Sequence, residues 1–197
     1  MKTVPASRYG LFCLLAVGGC AVDLWTKHWI FARLGMPHQQ PTEWLWPDVF
    51  GLTTSLNEGA LFGIGQGKVA LFVALSVVAA IGILYYLFVV RAASDLLLTV
   101  ALGLVAAGIS GNLYDRLGLP GLVWNGNAGL HVVGDPVFAV RDWLNFQLIN
   151  WPIFNLADSF LVCGAGLFIW HSFRADAHSA QKTTADPAQS ASSSSVC

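Results

Sequence analysis

Between Lys68 and Arg91, and again between Asp95 and Asp115, the chain carries no charged side chain. Each gap matches the roughly 20 apolar residues needed to cross the hydrocarbon of a bilayer. The pattern predicts two transmembrane helices there, 69–90 and 96–114. It predicts a third over about 9–29, entered after Arg8 and carrying Asp23 and Lys27 near its far end. A fourth, about 153–173, opens just after Pro152 and contains Asp158. The expected fold is an all-α membrane protein of four transmembrane helices.

The segments between the spans read differently. In the 34–68 loop, Pro37, Pro41 and Pro47 surround Trp44 and Trp46, and Val49 to Leu56 mixes β-branched, apolar and hydroxyl residues as a short strand does. The tryptophans suit a belt at headgroup level. The 117–152 connection has a Gly/Asn-rich part from Gly118 to Gly134, then Ala139 to Leu144. The broken apolar run that follows, to Phe154, is expected to be an interfacial or re-entrant segment. From Arg174 the composition turns to Ala, Ser, Thr, Gln and Asp, which predicts a disordered tail, 174–197, behind one membrane-embedded unit, 1–173.

Composition agrees. Of 197 residues, 55% are hydrophobic and 11% charged, where a soluble domain carries roughly 25% charge, and mean hydropathy is +0.61. A net charge of −1 without a Lys/Arg cluster removes nucleic acid as a partner class. Cys13, Cys20, Cys163 and Cys197 form no CxxC pair, and the histidines form no HExxH, so no metal is expected.

Four spans place both termini on one side. The positive-inside count ties, with Lys2, Arg8, Arg91, Arg174 and Lys182 facing Lys27, Arg33, Lys68, Arg116 and Arg141. Cytoplasmic termini are preferred because Lys27 and Arg116 sit beside acidic groups. In either orientation Asp23, Lys27, Asp115, Arg116 and Asp158 gather at one face of the membrane.

Asn112-Leu-Tyr-Asp115 and Asn155-Leu-Ala-Asp158 repeat one pattern inside apolar sequence. At helical spacing Asn112, Asp115 and Arg116 form one polar stripe, Asn155 and Asp158 another, and Asp23 and Lys27 a third. Asp23 and Lys27 alone would read as a helix-locking pair. Acidic groups from three spans at one depth read instead as a site, because an ionised group in the membrane costs several kcal/mol. Two carboxylates in one cavity share a proton, so one can draw a proton from water while the other donates to a scissile carbonyl. On this reading alone the pair is Asp115 and Asp158.

Four motifs, Asp23-Leu-Trp-Thr-Lys27, Asn57-Glu-Gly59-Ala60-Leu-Phe62, Gly111-Asn112-Leu-Tyr-Asp115-Arg116 and Phe154-Asn155-Leu-Ala157-Asp158, stand in the order found in the lipoprotein signal peptidases (signal peptidase II). Over about residues 9–173 the chain resembles that family. The resemblance implies an aspartic endopeptidase of the bacterial plasma membrane, multi-pass with both termini cytoplasmic, that removes signal peptides from diacylglyceryl-modified prolipoproteins on the N-terminal side of the lipidated cysteine. It implies a small extracytoplasmic β-rich cradle; contact with membrane lipid, no cofactor and a monomer are the accompanying expectations. It also moves the first catalytic aspartate to Val140-Arg141-Asp142-Trp143, so that Asp142 and Asp158 become the expected dyad. Asp115 then becomes a supporting residue paired with Arg116 or Lys27, and Asn57, Gly59, Asn112, Arg116 and Asn155 orient the substrate or the dyad.

Two departures stand out. The link from Arg116 to Asp142 is longer than the family's, which makes Asp135 a rival first aspartate, although Gly134-Asp135-Pro136 reads as a turn. Glu58 and Leu61 stand where the family has smaller residues.

Other readings are weaker. Gly108-Ile-Ser110-Gly111 resembles the motif of intramembrane serine proteases, yet its base, His171, falls roughly 20 Å deeper than Asp158 at about 1.5 Å per residue; Ser110 is then a packing residue. Val17-Gly18-Gly19-Cys20 loosely resembles a lipobox, but apolar sequence continues beyond it and the glycines read as packing positions. A non-enzymatic transporter or proton relay using the same acids is the remaining alternative.

Overall fold

Predominantly apolar sequence folds, among the described residues, as four helices long enough to cross a bilayer: α1 (Ala6–Leu34), α2 (Val69–Leu84, which reaches that length with the turn that follows it to Val89), α3 (Leu96–Arg116) and α4 (Leu156–Ala185). The computed structural model describes residues 3–59, 64–126, 131–148 and 151–185, with side chains as far as Arg174. Ala60–Phe62 of the second motif, residues 127–130 of the link and the serine-rich end lie outside the described residues.

α2 runs on through a π-type turn, Tyr85–Val89, to Arg91, whose φ of 67° lets the chain reverse. Asp95 then caps α3, its carboxylate accepting from Leu98 N at 3.1 Å, so the charge that closes one apolar run also starts the next helix.

α3 is the central helix. More than half of its most apolar window is buried, 56%, against 6–11% for the other three. Small residues bring its neighbours close, as membrane helices require: a Cβ at Gly108 would strike the Ala157 carbonyl, and one at Gly164 of α4 would lie 2.6 Å from the Ala101 carbonyl. Gly19 packs against Ala107 and Phe160, whereas Gly18 meets open space and is not the packing position expected. Ser110 is exposed on α3 rather than packed between helices. Phe12, Leu87, Leu102 and Ile109 join α1, the π-type turn and α3 in one apolar cluster. Leu14, Val17, Val78, Ile81 and Val162 face outward, which suits a lipid surround.

One end of the bundle carries a three-stranded antiparallel sheet in the order β1 (Glu43–Trp46), β2 (Phe50–Asn57), β3 (Val140–Phe146). The predicted strand is β2, shifted by one residue. Trp44 and Trp46 are exposed on β1. Ile30 and Leu34 of α1 pack against Leu52 and Trp143, which seats the sheet on the helix end.

The run from Asn145 to Phe154 differs from the expected interfacial segment. Asn145 and Phe146 complete β3, and Phe154 pairs back onto Leu144. Val140 to Trp143 are all buried, so the alternation that marks a half-exposed strand is missing from the sequence. The tail also differs: α4 continues from Arg174 to Ala185, sustained by the high helix propensity of its alanines.

Candidate active site

Asn155 and Asp158 open α4 as a reciprocal cap. Asp158 N donates to Asn155 Oδ1 at 3.0 Å, and Asn155 N donates to Asp158 Oδ2 at 3.2 Å; this is the capping-box arrangement, with Asp as its third helical residue. The helix start therefore fixes the carboxylate. Its other oxygen, Oδ1, accepts from Asn112 Nδ2 of α3 at 2.8 Å.

Asp142 arrives from β3, opposite Ser55 of β2. Asn155 Nδ2 donates to its Oδ1 at 2.6 Å and Asn57 Nδ2 to its Oδ2 at 3.2 Å. Asn155 thus touches both carboxylates, one through its side chain and one through its backbone. Burial at 2% exposure, and then the charge of Asp158, push the Asp142 carboxyl up to about 7, against the opposing pull of Lys27 and the two asparagine amides.

Behind this pair lies an ion cluster. Lys27 Nζ sits 2.8 Å from Asp23 Oδ2 and 3.0 Å from Asp115 Oδ2 and donates to Asn112 Oδ1 at 2.9 Å. Arg141 contacts Asp115 Oδ1 through Nε at 2.9 Å and Nη2 at 2.8 Å, and its backbone N donates to Oδ2 at 3.1 Å. Asp23 Oδ1 accepts from Ala157 N at 2.9 Å, tying α4 to α1. Two acids and two bases balance, as buried charges must if their desolvation is to be offset. Asp115 has both oxygens engaged by cations, which leaves it no face for a substrate.

The sequence-predicted residues therefore converge, with one reassignment. Asp115 pairs with Lys27 as expected but not with Arg116; its second cation is Arg141, which the sequence places beside Asp142 and in the charge count but to which no role was given. Its one available signal was its place beside Asp142. Arg116 Nη2 instead donates to the Gly59 carbonyl at 2.7 Å, and its guanidinium lies over the Phe72 ring. Gly59 N donates to Asn57 Oδ1 at 3.0 Å.

A cavity of about 290 Å³ is lined by Asn57, Gly59, Asn112, Arg116, Ile153 and Asp158. A smaller one of about 190 Å³ reaches Asp142 and shares the Asn57, Pro152 and Ile153 wall. A hollow of about 660 Å³ between His28, Met36 and Tyr114 touches neither carboxylate.

The rival residues fall elsewhere. Asp135 accepts from Val132 N at 2.9 Å and closes an exposed turn. His171 engages Asp95 at the opposite end of α3 from Ser110, Nε2 to Oδ2 at 3.2 Å. Cys20 lies within α1 with helix on both sides. Among the described residues no three His, Cys, Asp or Glu side chains are placed to hold a metal ion.

A family model described as signal peptidase (SPase) II matches residues 15–174. The chain belongs to the signal peptidase II family. It is 45% identical over 175 residues to the lipoprotein signal peptidase of Rhodopirellula baltica, covering 86% of this chain and 74% of that one. It is 31% identical over 211 residues to the lipoprotein signal peptidase of an Anaeromyxobacter species, covering 92% of each. A solved bacterial membrane enzyme, obtained by the in meso method, superposes with a TM-score of 0.68 at 28% identity over 84% of this chain and 88% of that one. As a signal peptidase II it is a multi-pass bacterial membrane peptidase of lipoprotein processing, and the transporter reading is not favoured.

Proposed function

We propose that Asp142 and Asp158 form the dyad with which this chain removes signal peptides from diacylglyceryl-modified prolipoproteins, cutting N-terminal to the lipidated cysteine. The observation that carries the assignment is Asn155, which donates to both carboxylates. Asp158 accepts from a backbone N–H and from Asn112, and serves as the base. Asp142, more deeply buried, holds the shared proton.

With water between them, Asp158 takes a proton from the water as its oxygen attacks the scissile carbonyl, and Asp142 gives its proton to the carbonyl oxygen. Collapse of the gem-diol returns a hydroxyl proton to Asp142 while Asp158 protonates the departing amine, so the dyad ends as it began. Base and acid come from the two carboxylates, and the scheme needs no cofactor. Asn57 and Arg116, lining the cavity beside Asp158, orient the peptide backbone.

Both termini lie in the cytoplasm on this reading, with sheet and dyad at the outer face. A signal peptide crosses with its C-terminal end outward, which is where the scissile bond has to meet the dyad. On the same reading the enzyme acts as a monomer, and the apolar skin supports a lipid surround. Reporter fusions at Ala185 test the orientation: a cytoplasm-dependent fluorophore should light up and a periplasm-dependent phosphatase should stay inactive.

The deciding experiment incubates purified protein in detergent with a diacylglyceryl-modified prolipoprotein and with the unmodified precursor. Mass spectrometry should find signal peptide released only from the modified form, ending just before the lipidated cysteine. Cleavage of the unmodified precursor at the same rate would remove the lipid from the specificity.

A further inference from the structure

Two stretches of the long 117–139 link, one to either side of residues 127–130, pair with each other and reach back to the second motif. Val123 pairs with Pro136, and Trp124 is held by its N–H to the Asp135 carbonyl at 2.9 Å and by Gly134 N to its own carbonyl at 2.8 Å. The Trp124 ring stacks on His131 with centroids 4.6 Å apart and planes 6° from parallel. The imidazole so held places Nε2 at 2.7 Å from Glu58 Oε1.

Glu58 lies between the two residues that matter to the site. Asn57 on its N-terminal side ends β2 and donates to Asp142; Gly59 on the other side accepts from Arg116. Beyond the last ladder pair, Asn57 with Val140, no strand among the described residues holds this turn. Three contacts do so instead: Gly59 N to Asn57 Oδ1, Arg116 to the Gly59 carbonyl, and His131 to Glu58.

We infer that His131 is a positioning residue for the reaction: by holding Glu58 it fixes the Asn57–Gly59 turn, and with it the hydrogen bond from Asn57 to Asp142. This rests on Asp142 being a member of the dyad. The pair is partly exposed, 28% for His131 and 19% for Glu58, and such pairs add little to global stability. Its effect is local. A glutamate free to change rotamer would let the turn wander, and the stacked ring removes that freedom before substrate arrives.

Asn57's donation favours the ionised form of Asp142, so loosening the turn carries a signature beyond rate. Asp142 is faced by Asp158 of α4, Lys27 of α1 and Arg116 of α3, and His131 by Glu58 with Asp135 in its own turn. Of the groups that bond Asp142, Asn57 is the one carried by the turn that His131 holds.

In the full chain in detergent, His131→Ala should lower kcat about three- to tenfold, the fold-change of one hydrogen bond's net contribution. KM and the melting temperature should hold, and the alkaline limb of the pH profile should move upward. His131→Gln, which keeps a side-chain N–H donor, should restore most of the rate. Glu58→Ala should match His131→Ala, and the double variant should be no worse than either alone. A wild-type rate and profile in His131→Ala, additive losses in the double variant, or a loss that tracks melting and is not rescued by glutamine would each overturn the inference. Full activity in Asp142→Asn would instead overturn the dyad on which it rests.

Discussion

Arg141 clasps Asp115 with its guanidinium and with its own backbone N–H, at 2.8–3.1 Å, one residue before Asp142. β3 is thus pinned to the end of α3 beside the carboxyl that has to be placed. The grip acts on the backbone as well as the charge, so it sets where Asp142 enters the site.

Asp115→Asn should therefore cost stability and activity together. It leaves Arg141 buried without its anion and Lys27 with Asp23 alone, and breaking a buried pair costs roughly 3–5 kcal/mol. The combined Asp115→Leu and Arg141→Met variant removes both charges and should recover part of the melting temperature while cleavage stays low. An Asp115→Asn protein that melts like the parent and is inactive would make Asp115 a direct participant in the chemistry.

The spans were legible because membrane solvent imposes a length and a polarity that sequence shows directly. The two Asn-x-x-Asp copies show where such reading ends. Asn155-x-x-Asp158 is a helix cap whose acid points into the cavity, while Asn112-x-x-Asp115 is a helix-face stripe whose acid is consumed by Lys27 and Arg141. The spacing is identical and the surroundings decide. Asp142 came from the family resemblance, since a strand buried on both faces shows no alternation, and Arg141 was missed because the partner that explains it is 26 residues away.

Asp142→Asn and Asp158→Asn should each abolish cleavage while the protein stays folded and membrane-inserted. Either substitution leaves one carboxyl without the partner that shares its proton. Asp135→Asn should cleave like the parent, because that side chain only closes an exposed turn. Signal-peptide release measured beside thermal unfolding separates the cases, and an inactive Asp135→Asn with an active Asp142→Asn would reverse the assignment.

Gly111→Ala tests how closely α1 and α3 need to approach. A Cβ there would run into Asp23 Oδ2 and lie 3.3 Å from the Ala157 Cβ, displacing the carboxylate that joins Lys27 to the start of α4. The expected result is a lower melting temperature together with at least a tenfold loss of cleavage, because each 1.4 kcal/mol of displaced dyad geometry is about tenfold in rate. Gly82→Ala, with nothing within 4 Å, is the control. Parental melting and rate in Gly111→Ala would show that Asp23 has room to move and that the cluster is not rigid.

The pH dependence follows from Asp142. Burial first, then the charge of Asp158, raise its carboxyl from the ordinary range to about 7. In the unfolded chain the same group loses its proton at about 3.9, so between those values the native state binds the proton more tightly. The stability it contributes is full below the unfolded value and is lost as pH rises through about 7. Catalysis shares the upper boundary: a dyad with one proton has base and acid together, and once Asp142 ionises the acid is gone. Cleavage should fall as pH rises past 7, with the infrared band of a protonated carboxyl fading over the same interval. Asn57→Leu, which removes a donor that favours ionised Asp142, should shift both to higher pH even as the rate drops. A rate that stays level well above pH 7 while the band disappears would mean that the proton on Asp142 is not the one used in the reaction.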